Sequence, residues 1–195
     1  MNTHFAINAR TKLLTEKQIG LVTGSMLGDG YLVKTTGGYA FRVNHSIKQK
    51  DYVDWKHNLL ADFVNSSPRQ SGNTYYFRTI THSTFMEMRK HFYKGRVKVI
   101  PRELLNEVLD PFIIAVWIMD DGSRDGRQLR INTQCFSEED HIFMQEVLRV
   151  KLGIETTLNH DKGQLRLRVS AKSMDHLKNL VMPFIIPSMH YKLIP

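Results

Sequence analysis

Two acidic residues, Asp29 and Asp121, each close an apolar stretch, each precede a glycine, and each is followed far downstream by Lys-aliphatic-Ile-Pro. The first string is Val22-Thr23-Gly24-Ser25-Met26-Leu27-Gly28-Asp29-Gly30 with Lys98-Val99-Ile100-Pro101. The second is Ile114-Ala115-Val116-Trp117-Ile118-Met119-Asp120-Asp121-Gly122 with Lys192-Leu193-Ile194-Pro195. Asp29 and Lys98 are 69 residues apart, Asp121 and Lys192 71. A carboxylate at the carboxyl end of a helix meets the negative pole of the macrodipole, which disfavours it by up to ~1 kcal/mol. Here that happens twice at equivalent positions, and Asp120 adds a further charge. Such a cluster calls for a cation. Oxygen donors without cysteines or a histidine cluster favour Mg²⁺ or a similar hard ion over zinc. The chemistry this equipment suits is metal-assisted hydrolysis, with the two lysines adding local positive charge.

The elements that must carry these groups follow from the local pattern. Thr15-Glu16-Lys17-Gln18 reads as a capping box opening a helix that runs to about Gly28, with Gly30 suited to a left-handed stop. Asp110-Pro111 reads as an N-cap with proline at the first helical position, opening a second helix that stops at Gly122. Both helices are apolar on nearly every side, which predicts burial in the middle of the protein, and Gly20, Thr23, Gly24, Gly28 and Ala115 would allow close backbone approach.

Strand-like alternation follows each helix, over residues 41–44, 74–78, 129–132 and 164–170, with turns at Ser71-Gly72-Asn73 and Asp161-Lys162-Gly163. Amphipathic helices are expected over residues 50–64, 83–93, 137–152 and 173–182. Each half thus reads helix, strand pair, helix, strand pair, helix. The boundaries predicted are an extension over 1–14, a first half over 15–101, a connector over 102–109 and a second half over 110–195.

Composition narrows the partner. The chain has 195 residues and a net charge of +8, so an acidic partner, nucleic acid before an anionic membrane, is expected. Cys135 is the only cysteine, so no intrachain disulfide and no cysteine-rich zinc site can form. The apolar run 112–119 is far below the ~20 residues of a membrane span, and the first dozen residues lack the apolar core of a signal peptide. The expectation is a soluble intracellular protein that avoids membranes.

The strands carry a cationic bias. Arg124, Arg127, Arg130, Lys162, Arg166 and Arg168 face only Asp125 and Asp161 in their segments, and Lys34, Arg42, Lys48 and Arg78 are interleaved with Tyr39, Tyr75 and Tyr76. Two-stranded ribbons fit the DNA major groove, where arginine reads guanine and asparagine or glutamine reads adenine. Candidate contacts therefore also include Asn44, Tyr76, Asn132 and Gln134, with His45 and His160 as the two histidines nearest these ribbons.

The paired acidic strings, the two Lys-x-Ile-Pro strings, and Asn132-Thr133-Gln134 after the second helix resemble the LAGLIDADG homing endonucleases in their single-chain, two-motif form. The resemblance covers nearly the whole chain. It implies an α+β fold of two pseudo-symmetric αββαββα halves, the motif helices packed at the centre and two antiparallel sheets forming a DNA-binding saddle, in a monomer with internal pseudo-two-fold symmetry. By the same resemblance, Asp29 and Asp121 would be the metal-binding catalytic carboxylates, and the carbonyls of Gly28 and Asp120 would complete the protein ligands of Mg²⁺, with Mn²⁺ able to substitute. Lys98 and Lys192 would stand near the scissile phosphates of double-stranded DNA. Gly28 in one string answers to Asp120 in the other, so the half-sites are not chemically identical. Some members act instead as maturases on intron RNA, and a sequence-specific DNA-binding protein without catalysis is a further alternative. Family habit points to an organelle, mitochondrion or chloroplast.

Overall fold

The computed structural model describes residues 4–161 and 163–194. By compactness the chain divides into two units, residues 1–90 and 91–195. The division falls before Lys98, which therefore groups with the second unit, whereas the repeat placed it at the end of the first half.

In the first unit α1 (His4–Thr11) precedes α2 (Glu16–Leu27). Thr15 and Gln18 form the expected reciprocal cap: the Thr15 hydroxyl accepts from the Gln18 amide, and the Gln18 side chain accepts from the Thr15 amide at 3.0 Å. The helix is buried on all sides from Gly20 to Leu27, as its all-round apolarity requires. A four-stranded antiparallel sheet follows, in the order β1 (Tyr31–Thr35), β2 (Gly38–Ser46), β4 (Thr74–Arg78), β3 (Arg69–Ser71). Between β2 and β3 runs α3 (Lys50–Leu59), packed on β2 and β4, and α4 (Ser83–Phe92) leads out of the unit. Phe41, Val43 and Phe77 point towards α3 and are almost fully buried.

The second unit opens with a two-residue ribbon of β5 (Tyr93–Lys94) and β6 (Val97–Lys98). The expected connector is a short helix, α5 (Arg102–Val108). In α6 (Pro111–Asp121) the Asp110 carboxylate accepts from the Ile113 amide at 2.8 Å, and Pro111 occupies the first turn, as predicted. The second sheet has the order β7 (Gly122–Asp125), β8 (Gln128–Ile131), β10 (Gln164–Val169), β9 (Thr156–Asp161). On it packs α7 (Glu138–Leu152), and α8 (Met174–Val181) lies beside α6. The two sheets thus share one topology, with the third strand in sequence at the edge, and both are antiparallel throughout. No helix among the described residues is long and apolar enough to cross a membrane.

The two motif glycines differ from expectation in mechanism. Gly30 does not adopt a left-handed conformation. It is required because a Cβ there would lie 2.8 Å from the Ser25 carbonyl oxygen and 2.9 Å from the Phe41 ring. Gly122, extended at φ −68°, would place a Cβ 2.6 Å from the Ile118 oxygen. In both motifs the chain folds back so closely on the last helical turn that only hydrogen fits. Gly122→Ala is expected to lower stability by about 1–3 kcal/mol in urea unfolding, the usual cost of overpacking. Gly37→Ala, whose added Cβ meets only a methyl at 3.9 Å, is expected to stay within about 0.5 kcal/mol.

Candidate functional site

In the first unit Gly28 caps α2, its amide donating to the Gly24 and Ser25 carbonyls, and Gly30 donates to Ser25 at 2.7 Å. This double return of the backbone projects Asp29 past the helix end, with its side chain 50% exposed. Beside it stands His45, whose Nδ1 lies 3.6 Å from Asp29 Oδ2, an electrostatic contact rather than a hydrogen bond. The imidazole is buried, its centroid 5.2 Å from that of the Tyr52 ring, and Lys56 Nζ lies 4.3 Å from the centre of the same ring. Tyr52 and Lys56 are wholly enclosed. Nothing in the amphipathic pattern of α3 marks Lys56 as buried; only its position four residues after Tyr52, on the same helical face, hints at it.

In the second unit Asp121 is the last residue of α6 and is half-buried, and Asp120 is buried. The Asn132 amide donates to the Asp121 carbonyl at 3.1 Å, tying the end of β8 to the motif. Lys192, in the 3-10 turn Pro187–Lys192, donates from Nζ to the Asp120 carbonyl at 3.1 Å. Lys98 is held by its neighbours: the Ile100 amide reaches Asp140 at 3.5 Å, and Arg102 makes two contacts to the same carboxylate, at 3.0 and 3.3 Å. Asp140, buried on α7, therefore ties down Ile100 of the Lys98-Val99-Ile100-Pro101 string and Arg102 just after it. Lys98, Asp121 and Asp140 all act on Cys135. Partial enclosure pushes that thiol above its usual range; Lys98 pulls it down, and Asp121 and Asp140 push it up. Lys98 thus shares its surroundings with Asp121, and both motif lysines gather about the second acidic string.

Strand parity sorts the proposed nucleic-acid contacts. Arg42, Asn44, Tyr76 and Arg78 share the face of the first sheet turned away from α3: Arg42 is opposite Arg78, Asn44 opposite Tyr76, and the Arg42 guanidinium lies 4.7 Å over the Tyr76 ring. Arg130, Arg166, Arg168 and Asn132 share the corresponding face of the second sheet, with Arg130 opposite Arg168. There Arg168 is held by Asp125 at 2.6 Å and by Gln128 at 3.3 Å. Lys34, His45, Arg124 and His160 are on the other face: Lys34 is opposite Tyr39, Arg124 opposite Leu129, and His160 opposite Leu165, while His45 alternates with Phe41 and Val43. These four are thereby set apart from the arginine-bearing face, because one step along a strand reverses the side chain. Lys48 and Arg127 are exposed at turns, and Gln134 is half-buried in a loop. Lys162 lies outside the described residues. Sequence reading missed Arg69, opposite Tyr76 on the arginine-bearing face, because its three-residue edge strand is too short to alternate.

Among the described residues no group of three or more histidine, cysteine, aspartate or glutamate side chains forms a metal cage. Each unit offers one accessible motif carboxylate beside a helix-end carbonyl. Mg²⁺ is commonly held through one or two carboxylates, water and substrate phosphates, so this sparse oxygen set fits a hard cation completed by an anionic substrate.

The profile of the LAGLIDADG DNA endonuclease family matches residues 19–177. The chain belongs to that family. It is 34% identical over 151 residues to the intron-encoded endonuclease ai4 of Dictyostelium discoideum, covering 76% of this chain and 90% of that protein. It is 33% identical over 198 residues to the cytochrome b mRNA maturase bI2 of Saccharomyces cerevisiae, covering 90% of this chain but only 47% of the maturase, so the chain spans about half that relative's length. The fold matches that of the homing endonuclease I-WcaI bound to its DNA recognition sequence, with a TM-score of 0.89 and 23% identity over 99% of this chain and 93% of that one. A lower likeness, TM-score 0.53 and 15% identity over 86% of this chain and 97% of the other, links it to I-DmoI in complex with DNA and Mn. At these identities the two structures establish the LAGLIDADG fold alone.

The Cys135 thiol reports on this geometry. Lys98→Met removes the charge that favours thiolate, so the pKa rises further and alkylation by iodoacetamide at mildly alkaline pH slows; Asp121→Asn acts oppositely and speeds it. Equal rates in the parent and both variants would mean that neither group lies near the thiol.

Proposed function

We propose that this chain is a site-specific homing endonuclease that makes a double-strand break in DNA at a long recognition site by metal-dependent phosphodiester hydrolysis. The observation that carries the proposal is the repeated placement of an accessible aspartate at the end of a buried helix in a LAGLIDADG chain. Asp29 and Asp121, with the carbonyls of Gly28 and Asp120, would hold the metal. Mg²⁺, with Mn²⁺ able to replace it, would supply Lewis-acid activation of water and stabilise negative charge on the phosphate oxygens. The Asp120 carbonyl accepts from Lys192 Nζ at 3.1 Å, which sets that lysine beside the second acidic string.

The chain's own groups divide the remaining work. His45 faces one oxygen of Asp29 and restricts its rotation, presenting the half-exposed carboxylate in one orientation. Lys192, donating to the Asp120 carbonyl, and Lys98, which shares the surroundings of Cys135 with Asp121, bring positive charge next to the second acidic string. Such preorganised cations favour charge developing on a phosphate in the transition state. The arginine-bearing faces of the two sheets would contact DNA: Arg42, Arg78, Arg130, Arg166 and Arg168 suit phosphate or guanine, and Asn44 and Asn132 suit adenine. The protein would act as a monomer.

The maturase relatives motivate a second reading, in which the chain binds intron RNA. The same relatives support an organelle as its compartment. Splicing assistance that survives loss of both aspartates would favour the RNA role.

Asp29→Asn and Asp121→Asn are each expected to abolish Mg²⁺-dependent linearisation of a plasmid carrying the joined exons, while DNA binding persists. Cutting at the parent rate by both variants would reject the metal assignment. DNA affinity is also expected to fall by about 10³-fold or more between 50 and 200 mM salt, as for proteins that neutralise several phosphates; a flat profile would remove the arginine faces as the DNA surface.

A further inference from the structure

Helix α1 lies outside the duplicated pattern and has no part in the site described above. Ala6 and Ala9 are its buried residues, which seat it on the first unit, and Arg10 in its last turn is exposed. Arg10 is nevertheless drawn to a particular place. With Arg42 of β2, Arg69 of β3 and Arg78 of β4 it lines a cavity of about 600 Å³, together with Tyr76 and Ser67. Four guanidinium groups from four elements converge there, and no carboxylate is among the lining residues.

The arrangement is built rather than incidental. Arg42 and Arg78 are directly opposite on paired strands, Arg69 and Tyr76 likewise, and Arg42 stacks on Tyr76. Arg42 Nε is buried without a hydrogen-bond acceptor among the described residues. A buried donor lacking an acceptor and a set of like charges are both costly in an otherwise paired structure. One ligand relieves both: a phosphate, whose oxygens accept from guanidinium forks in pairs.

We propose that α1 and the first sheet form a binding site for a backbone phosphate of nucleic acid, with Arg10 carrying the grip beyond the duplicated fold. The assignment rests on the nuclease reading only in taking nucleic acid as the source of the phosphate; free phosphate compounds share the chemistry. Arg10 contacts backbone and not bases, so its contribution is the same for every sequence.

The test compares the parent chain with Arg10→Ala and Arg10→Lys, using fluorescence anisotropy on a duplex selected for tight binding and on one of arbitrary sequence. Arg10→Ala is expected to weaken both by the same factor, about five- to tenfold at low salt, and to reduce the slope of log affinity against log salt by about 1. Arg10→Lys is expected to keep the slope. Affinity and slope unchanged in Arg10→Ala would overturn the proposal, and so would a loss confined to the selected duplex. Should Arg10→Ala shift the thermal midpoint, Arg10→Gln carries the same comparison with the side-chain stem retained. Pyrophosphate, titrated while the arginine Nε–H signals are followed by NMR, separates the sources. Tight binding lost in Arg10→Ala without any change in DNA affinity would assign the cavity to a free phosphate compound and reject nucleic acid. A parent that binds no duplex at all would instead sink the nuclease reading.

Discussion

An aspartate at the carboxyl end of a helix is held where the peptide dipoles already place negative charge, and this chain accepts that conflict twice. The surroundings of each motif follow from it. The backbone turns back on the last helical turn so tightly that Gly30 and Gly122 have no room for a Cβ, which moves each carboxylate off the helix axis and leaves it partly accessible. Positive or polarisable groups are then brought in from distant sequence. Lys192 lies 72 residues from the carbonyl it caps, and Ile100 and Arg102, just after Lys98, reach a carboxylate 40 and 38 residues further on. The first of these ties joins the last segment of the second unit directly to its acidic helix end.

The sheets answer a different constraint. Each buries one face under a helix and leaves the other to a row of arginines, and the alternation that does this is legible in the chain: Gln164 to Val169 and Phe41 to Asn44 form strands where the pattern put them. Helix starts were equally legible, because Thr15 with Gln18 and Asp110 with Pro111 satisfy terminal amides by local chemistry alone. Parity was less so. Lys34, His45, Arg124 and His160 carry the right chemistry for an anionic partner but stand one residue out of step with Arg42, Arg130 and Arg166. Residue type cannot reveal that; the registers of the paired strands do. The grouping of Lys98 was hidden for another reason. The repeat assigned it to the first string, whereas the Arg102–Asp140 pair, which no local pattern encodes, anchors it in the second unit.

The duplication also conceals a divergence that is visible only when the strands are aligned through their registers. Arg42 answers to Arg130, so His45 answers to Thr133 and Lys56 to Met144. In the second unit Thr133 is taken up structurally, bonded to His141 at 2.8 Å and to the Leu167 amide at 3.0 Å, and Met144 is plain core. In the first unit the same positions hold an imidazole facing Asp29 and a wholly enclosed lysine against Tyr52. Lys56 is wholly enclosed with its Nζ 4.3 Å from the Tyr52 ring centre, where the second unit places the apolar Met144.

The groups beside the two acidic ends therefore differ in kind. Around Asp121 they are the half-buried lysines Lys98 and Lys192, the latter bonded to the Asp120 carbonyl. Beside Asp29 stands a buried imidazole packed against the Tyr52 ring. The two acidic ends of the repeated pattern thus sit in chemically different settings. A pair of strictly equivalent sites would meet a two-fold substrate identically. This pair is suited to a partner whose two halves are similar without being the same.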